Sequence, residues 1–218
     1  MKLFHNIIII TLLTLGSCDN TPKKDSDKTI RNDFCMLMTK SMKWNHVTHK
    51  IMAEHYDQKE AEFSELQDFI QSNLPDSSGV HIEFTNEEEL NIFHVKNREV
   101  SENNWNIRRE SDKYDSLLMV IGWTDSLVSI CYQKLQNIDC ISISSYSNQK
   151  TDFGYKRDGM GIYYYLVHAS NLSEKSEDKY WPCSAIYYRD NVVFEYGSGA
   201  FGSTCFPNKF TNNTSLTY

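Results

Sequence analysis

The chain has 218 residues, with 22 Lys and Arg set against 29 Asp and Glu, for a formal net charge of −7. Its basic residues collect no further than isolated pairs such as Arg108-Arg109 and Lys156-Arg157, so the electrostatic footprint of a nucleic-acid binder is missing. An acidic domain suits solubility, and equally a basic protein partner.

Met1-Lys2 is a basic start, Ile7 to Leu15 is apolar, and Gly16-Ser17 are small, followed by Cys18. That is the layout of a secretory signal. The apolar run is too short to cross a bilayer, which takes ~20 residues as a helix. Leu15-Gly16-Ser17-Cys18 resembles the lipobox of bacterial lipoproteins. The resemblance implies removal of residues 1–17, a diacylglyceryl thioether on Cys18, an acyl chain on its new amino group, and a place in the bacterial cell envelope. Each buried methylene contributes ~0.8 kcal/mol, so several chains on one residue hold a domain to a membrane stably. Asp19 resembles the inner-membrane retention signal of enteric bacteria, while other phyla use acidic residues near this position for surface export. Inner and outer membrane, and either face, therefore stay open. Residues 19–32 are polar and nearly free of apolar side chains, so residues 18–32 read as the lipidated cysteine and a flexible tether. Nothing later is apolar enough to span. Residues 33–218 are expected to form a single α+β domain.

That domain opens with helical periodicity. Asn32 or Asp33 can cap a helix from Phe34, continuing to Leu74 as one long helix or a pair broken near Lys59 to Phe63. Ser64-Glu-Leu-Gln67 fits a capping box that would restart it, and Phe63, Leu66, Phe69, Ile70 and Leu74 form an apolar stripe. Pro75 stops it. The period then changes to two: Val80, Ile82 and Phe84 alternate with polar residues, and Leu90 to Val95 returns after the turn Asn86 to Glu89. Lys96 to Asp115 is long for a loop and has room for a short strand around Trp105. Leu117 to Ile121 is a candidate buried strand, and Thr124 or Asp125 caps one further helix reaching about Asn137. Ile141 and Ile143 alternate with serines, and Gly161 to His168 is another strand. Ser184 to Tyr188 and Val192 to Tyr196 form a hairpin turning at Arg189-Asp190-Asn191. Helices first, then hairpin-linked strands, argue α+β with a mostly antiparallel sheet.

Few residues in this frame carry chemistry. Gly197 to Gly202 matches the spacing GxGxxG, but no helix or second strand can follow before the chain ends, so no dinucleotide or other cofactor is expected. Cys140 and His168 faintly resemble the cysteine-then-histidine order of cell-wall cysteine peptidases, although Cys140 opens a strand-like run and not a helix. In the long helix His46 and His49 share a face, but zinc would lack its third ligand there. A four-residue turn would set His81 directly opposite His94 with Glu83 two along on the same face, close enough to share a proton or a metal. Val80 would then oppose Val95 and Ile82 oppose Phe93, with Leu90 and Ile92 on the histidine face.

With Cys18 lipidated, five cysteines remain, an odd number. Cys183 and Cys205 flank the hairpin and are the best intramolecular pair. Cys131 falls on an apolar helix face and reads as buried and free. The last third is rich in aromatics, and consecutive tyrosines in a strand point to opposite faces. Tyr164, Trp181, Tyr188 and Phe201 are the candidate contacts for a partner, by the interface preferences of tyrosine and tryptophan. The sequence thus favours a lipid-anchored envelope protein that works by binding another protein, one version being an immunity-type lipoprotein that neutralises a toxin. A cell-wall or glycan hydrolase and a structural or assembly lipoprotein are the alternatives.

Overall fold

Thr48 is extended, and its hydroxyl accepts the Ile51 N–H at 3.2 Å, which opens helix α1, His49–Asn73. The computed structural model describes residues 47–147, 149–172 and 184–197, with Gly199 and Phe206. The proposed start at Phe34 lies outside these residues, but a single helix running from there to Leu74 is ruled out by the extended Thr48. The expected break occurs at Lys59, whose φ of −129° and ψ of 19° leave the helical region. Its ammonium caps a different element, lying 2.6 Å from the Asn137 carbonyl and 2.7 Å from Asp139. Ser64 does not restart the helix, and Gln67 donates instead to the Val167 carbonyl at 2.9 Å. Leu74, held extended by the following proline, ends α1.

Two more helices follow the first strands: α2, Asp112–Ile121, and α3, Asp125–Asn137. Leu117 to Ile121 is thus helix and not strand. A short apolar run does not distinguish the two by period; its flanks do. The Ser111 hydroxyl accepts the Tyr114 N–H, Asp112 and Asp115 sit in the first turn, and Gly122 at φ 67° closes the last. Thr124 caps α3 as expected, and Cys131 is buried and free on its inner face.

Among the described residues eight strands form one sheet: β1 Gly79–Phe84, β2 Glu89–Lys96, β3 Ser101–Arg108, β4 Ser142–Ser147, β5 Lys150–Asp158, β6 Gly161–His168, β7 Ala185–Arg189 and β8 Val192–Gly197. Their order is β3-β2-β1-β4-β5-β6-β8-β7, with every neighbouring pair antiparallel. The fold is α+β. One sheet face supplies Val80, Ile82, Phe93, Ile143, Phe153, Tyr165 and Phe194 to the same buried cluster as Phe63, Leu66 and Ile70 of α1, Tyr114 and Leu117 of α2, and Val128 and Leu135 of α3. The opposite face holds none of these side chains.

The β1–β2 register is the expected one, with Val80 opposite Val95, His81 opposite His94 and Ile82 opposite Phe93. It shifts between Glu83 and Phe84, where Ile92 pairs with Glu83 but Leu90 pairs with Phe84. Asn91 is therefore an extra residue, and it turns Leu90 into the core, away from the histidine face. A second bulge leaves Tyr155 unpaired between Gly154 and Lys156 of β5.

Candidate functional site

Side chains alternate across a strand, so the pairing table places residues on the face turned from the helices. Two rows cross all eight strands. One runs Trp105, Ile92, Glu83, Ser142, Gly154, Tyr164, Glu195, Ala185, and its neighbour runs Asn103, His94, His81, Ser144, Asp152, Leu166, Val193, Tyr187. The rows change character from end to end. At the β7–β8 end Leu166, Ala185 and Val193 are buried with Tyr164, Leu172 and Tyr187 against them. At the β3 end Trp105 is 58% exposed.

Two bulges build the centre. The Tyr155 bulge brings Arg157 onto this face, where its Nε donates to Glu83 Oε1 at 2.7 Å and a terminal nitrogen donates to Oε2 at 2.6 Å. The Asn91 bulge supplies a third donor, its amide reaching Oε1 at 2.7 Å. Glu83 is only 3% exposed, so these contacts replace its hydration shell. The Glu83 carboxylate in turn holds the Arg157 guanidinium above its usual pKa. Gly154 leaves room for the packing beside it, since a Cβ there would stand 2.0 Å from Ser142 Oγ and 2.7 Å from Ile162 Cδ1.

The histidines meet as expected, ring centroids 5.5 Å apart and planes at 85°, and Trp105 lies edge-on to His94 at 4.9 Å. Burial pushes His81 down to about 4, with His94 and Arg157 adding and Glu83 opposing. Burial also lowers His94, raises Glu195, and takes Tyr164 up to about 12 with help from Glu83. At neutral pH both rings are uncharged. Glu83 does not complete a metal set with them, because both its oxygens are engaged by Arg157 and Asn91. Among the described residues no three His, Cys, Asp or Glu side chains are grouped to hold a metal.

This geometry has a stability consequence. An unfolded His81 takes up its proton near pH 6.5, and the folded one only near 4, so the unfolded chain binds more protons in that window. The stability held above pH 6.5 is expected to fall by up to about 3 kcal/mol towards pH 4 from this ring alone. Urea unfolding at pH 7 and pH 4.5 measures it; His81→Gln should flatten the slope, and an unchanged slope would refute the assignment.

The structure separates the other candidates. Cys140 is 1% exposed, and burial, with Asp139 adding, pushes its thiol well above the usual range, the opposite of an activated nucleophile. Ile141 N–H bonds to the Gly154 carbonyl, whereas His168 pairs with Lys150, four residues further along β5, on the order of 13 Å away. Cys140 and His168 do not form a catalytic pair. Tyr188 lies on the helix side, its ring stacked on Phe194 at 4.8 Å and its hydroxyl donating to Asp57 at 2.8 Å, beside Arg189 bonded to Asp57 and Glu60. It ties the hairpin to α1 and is not a free contact. Tyr164 is on the candidate face but half-buried against the apolar group at its β7–β8 end, away from Trp105. Trp181, Phe201, Cys18, Cys183 and Cys205 lie outside the described residues. Of the described cysteines, Cys131 and Cys140 are both free and buried.

Sequence reasoning placed a strand at Trp105 but did not mark it as a contact, and it missed Arg157 altogether. It also missed a cluster on the helix side, where the Tyr165 hydroxyl and His55 Nδ1 share a hydrogen bond of 2.8 Å. His55 Nε2 faces Asp139 at 3.7 Å, and Lys59 pairs with the same carboxylate. Burial lowers His55, and the Tyr155 ring packs against it, tilted, at 4.6 Å. This cluster joins α1 to β6 and to the turn after α3. Asp139 holds φ at 48° there, a backbone region that aspartate tolerates better than most residues. Elsewhere a groove of about 950 Å³ lies among Glu87, Glu88, Arg109, Glu110 and Asp125, but Arg109 is already bound to Asp125 at 2.9 Å and to the Glu87 carbonyl at 2.8 Å. No helix among the described residues is long and apolar enough to cross a membrane. No family model matches the chain, and no match to a curated protein or a solved structure was found.

Proposed function

We propose that this chain is a lipid-anchored protein of the bacterial cell envelope that acts by binding another protein, through the sheet face that carries Trp105. The observation behind this reading is a large aromatic ring, 58% exposed, held edge-on against His94 on a face with no helix among the described residues. A tryptophan fixed in one orientation loses little entropy on contact and is the side chain most enriched at binding hot spots. Ile92 stands beside it in the same row, and Tyr146, half-exposed, covers Gly79 further along the face. Burial of Cys140 and Cys131 removes both described thiols as nucleophiles, which argues against the cysteine-hydrolase alternative. The net charge of −7 favours a basic partner. A toxin neutralised in the envelope is one such partner, and a component of envelope assembly is another.

Two measurements test the reading. Metabolic labelling with an alkyne analogue of palmitate is expected to mark the protein, and Cys18→Ser should abolish the mark; a labelled Cys18→Ser protein would sink the anchor. Cross-linked capture from envelope extract and culture supernatant should recover one stoichiometric protein. Trp105→Ala, at an exposed site that leaves the core intact, should weaken that capture by about 30-fold, the effect of a 2 kcal/mol hot spot. Equal capture by the variant would exclude this face. Recovery of no protein above background would exclude protein binding and favour a glycan or cell-wall ligand.

A further inference from the structure

Trp105, His94 and His81 form a continuous line across β3, β2 and β1. In each imidazole the Nε2 atom is enclosed and has no hydrogen-bond partner among the described residues. A neutral ring tolerates one unpaired nitrogen, but an imidazolium carries two N–H groups and a charge, all of which need a partner or water.

Among the described residues no carboxylate without a cationic partner of its own faces the pair. On its own strand His81 has Glu83, whose oxygens are taken by Arg157 and Asn91. Across β2 stand His94 and, two residues along, Lys96; from β5 come the Arg157 guanidinium and, beyond Ser144 of β4, Asp152, paired with Lys150 at 2.9 Å. Tyr146 of β4 is the remaining ionisable group on this part of the face, and β3 adds only the neutral Asn103 and Trp105. A proton entering the pair goes to the ring nitrogen that carries none. It finds one neutral histidine, a cation from β5 and a carboxylate already neutralised. A second proton would put two positive rings 5.5 Å apart.

We propose that the His81–His94 pair is an acid-sensitive trigger for Trp105: protonation drives the two rings apart and towards water, displaces the indole packed on His94, and so disassembles the contact surface. The trigger is a property of the free protein. Its consequence, release of a partner as the surroundings acidify, rests on the reading of this face as the binding surface.

The test follows the imidazole and indole N–H resonances of the full chain in detergent from pH 7.5 to pH 4. Trp123 provides the internal control, because its indole donates to the Asn73 carbonyl at 2.8 Å on the helix side of the molecule. The Trp105 resonance is expected to move with the same midpoint as one of the two rings, well below the ordinary 6.5, while Trp123 stays in place. His94→Gln should leave Trp105 still through the acid range and raise the His81 midpoint, since His94 is one of the groups that lower it. If the first variant fails to fold, His81→Gln should likewise leave Trp105 still through the acid range. Independent titration of both rings near 6.5, a Trp105 that does not follow them, or Trp123 moving in step with Trp105, as in global unfolding, would each overturn the proposal. A captured partner should bind at least about twofold more weakly at pH 4 than at pH 7.5. If none is captured at pH 7.5, the binding reading falls while the resonance titration still decides the trigger.

Discussion

Arg157→Ala is expected to destabilise the protein by about 3 kcal/mol, although Arg157 is itself partly exposed. The loss falls on its partner. Glu83 is 3% exposed, and without the guanidinium its carboxylate would keep only the Asn91 amide. Removing one member of a buried pair costs far more than removing both, because the remaining charge stays desolvated. The double variant Arg157→Ala with Glu83→Gln should therefore recover most of the loss, the neutral amide needing no counter-charge. Urea unfolding at pH 7 measures both. A loss below about 1 kcal/mol for the single variant, the size expected of a surface pair, would show that Arg157 does not hold this carboxylate. The same variant should also weaken partner capture. Glu83 is flanked by Ile92 and then Trp105 along one row, so a loosened Glu83 loosens the support of the indole.

Phe63→Ala should cost about 4 kcal/mol. The ring is fully buried in α1 and meets Tyr165 at 4.9 Å, Tyr56 at 5.0 Å and Phe153 at 5.2 Å, so it joins the first helix to β5 and β6. Truncation leaves a cavity among large aromatic rings that cannot collapse into it, which puts this site at the costly end of core truncations. The expected result is a lower urea midpoint with an unchanged denaturant slope. A cost under 2 kcal/mol would mean that α1 can shift to fill the space. Because Phe63 lies on the helix side, the His81–His94 titration should be unaffected in the folded variant.

Much of the architecture was legible locally. The hairpin of β1 and β2 followed from alternation in Val80 to Phe84 and Leu90 to Val95 and from the length of the turn, and that alone set His81 opposite His94. Period two decides which face a side chain takes, and turn length decides its opposite number, so both are written in neighbouring residues. Thr124 and the start of α3 were legible for the same reason, a cap being a contact of three residues' span. Leu117 to Ile121 was misjudged as strand because a short apolar run satisfies both periods, and the deciding signals lay just outside it, in Ser111 and Gly122. The strand β5 was not recognised, since Gly154 and the Tyr155 bulge interrupt its alternation.

What the sequence determined by itself is the α+β class, the helix-then-sheet order and the pairing of the two histidines. The lipoprotein address at Cys18 is the sequence's own suggestion and stands as a proposal. Only the tertiary structure decided which residues make the face. Arg157 reaches Glu83 from 74 residues away because the Tyr155 bulge of β5 turns it onto that face, a second bulge on β2 adds the Asn91 amide, and β4 lies between β1 and β5. The His55 cluster joins residues 110 positions apart. Local periodicity encodes orientation, whereas the neighbours of a side chain depend on strand order and bulge position. Those arise from packing of the whole sheet on its helices, and no window of sequence contains them.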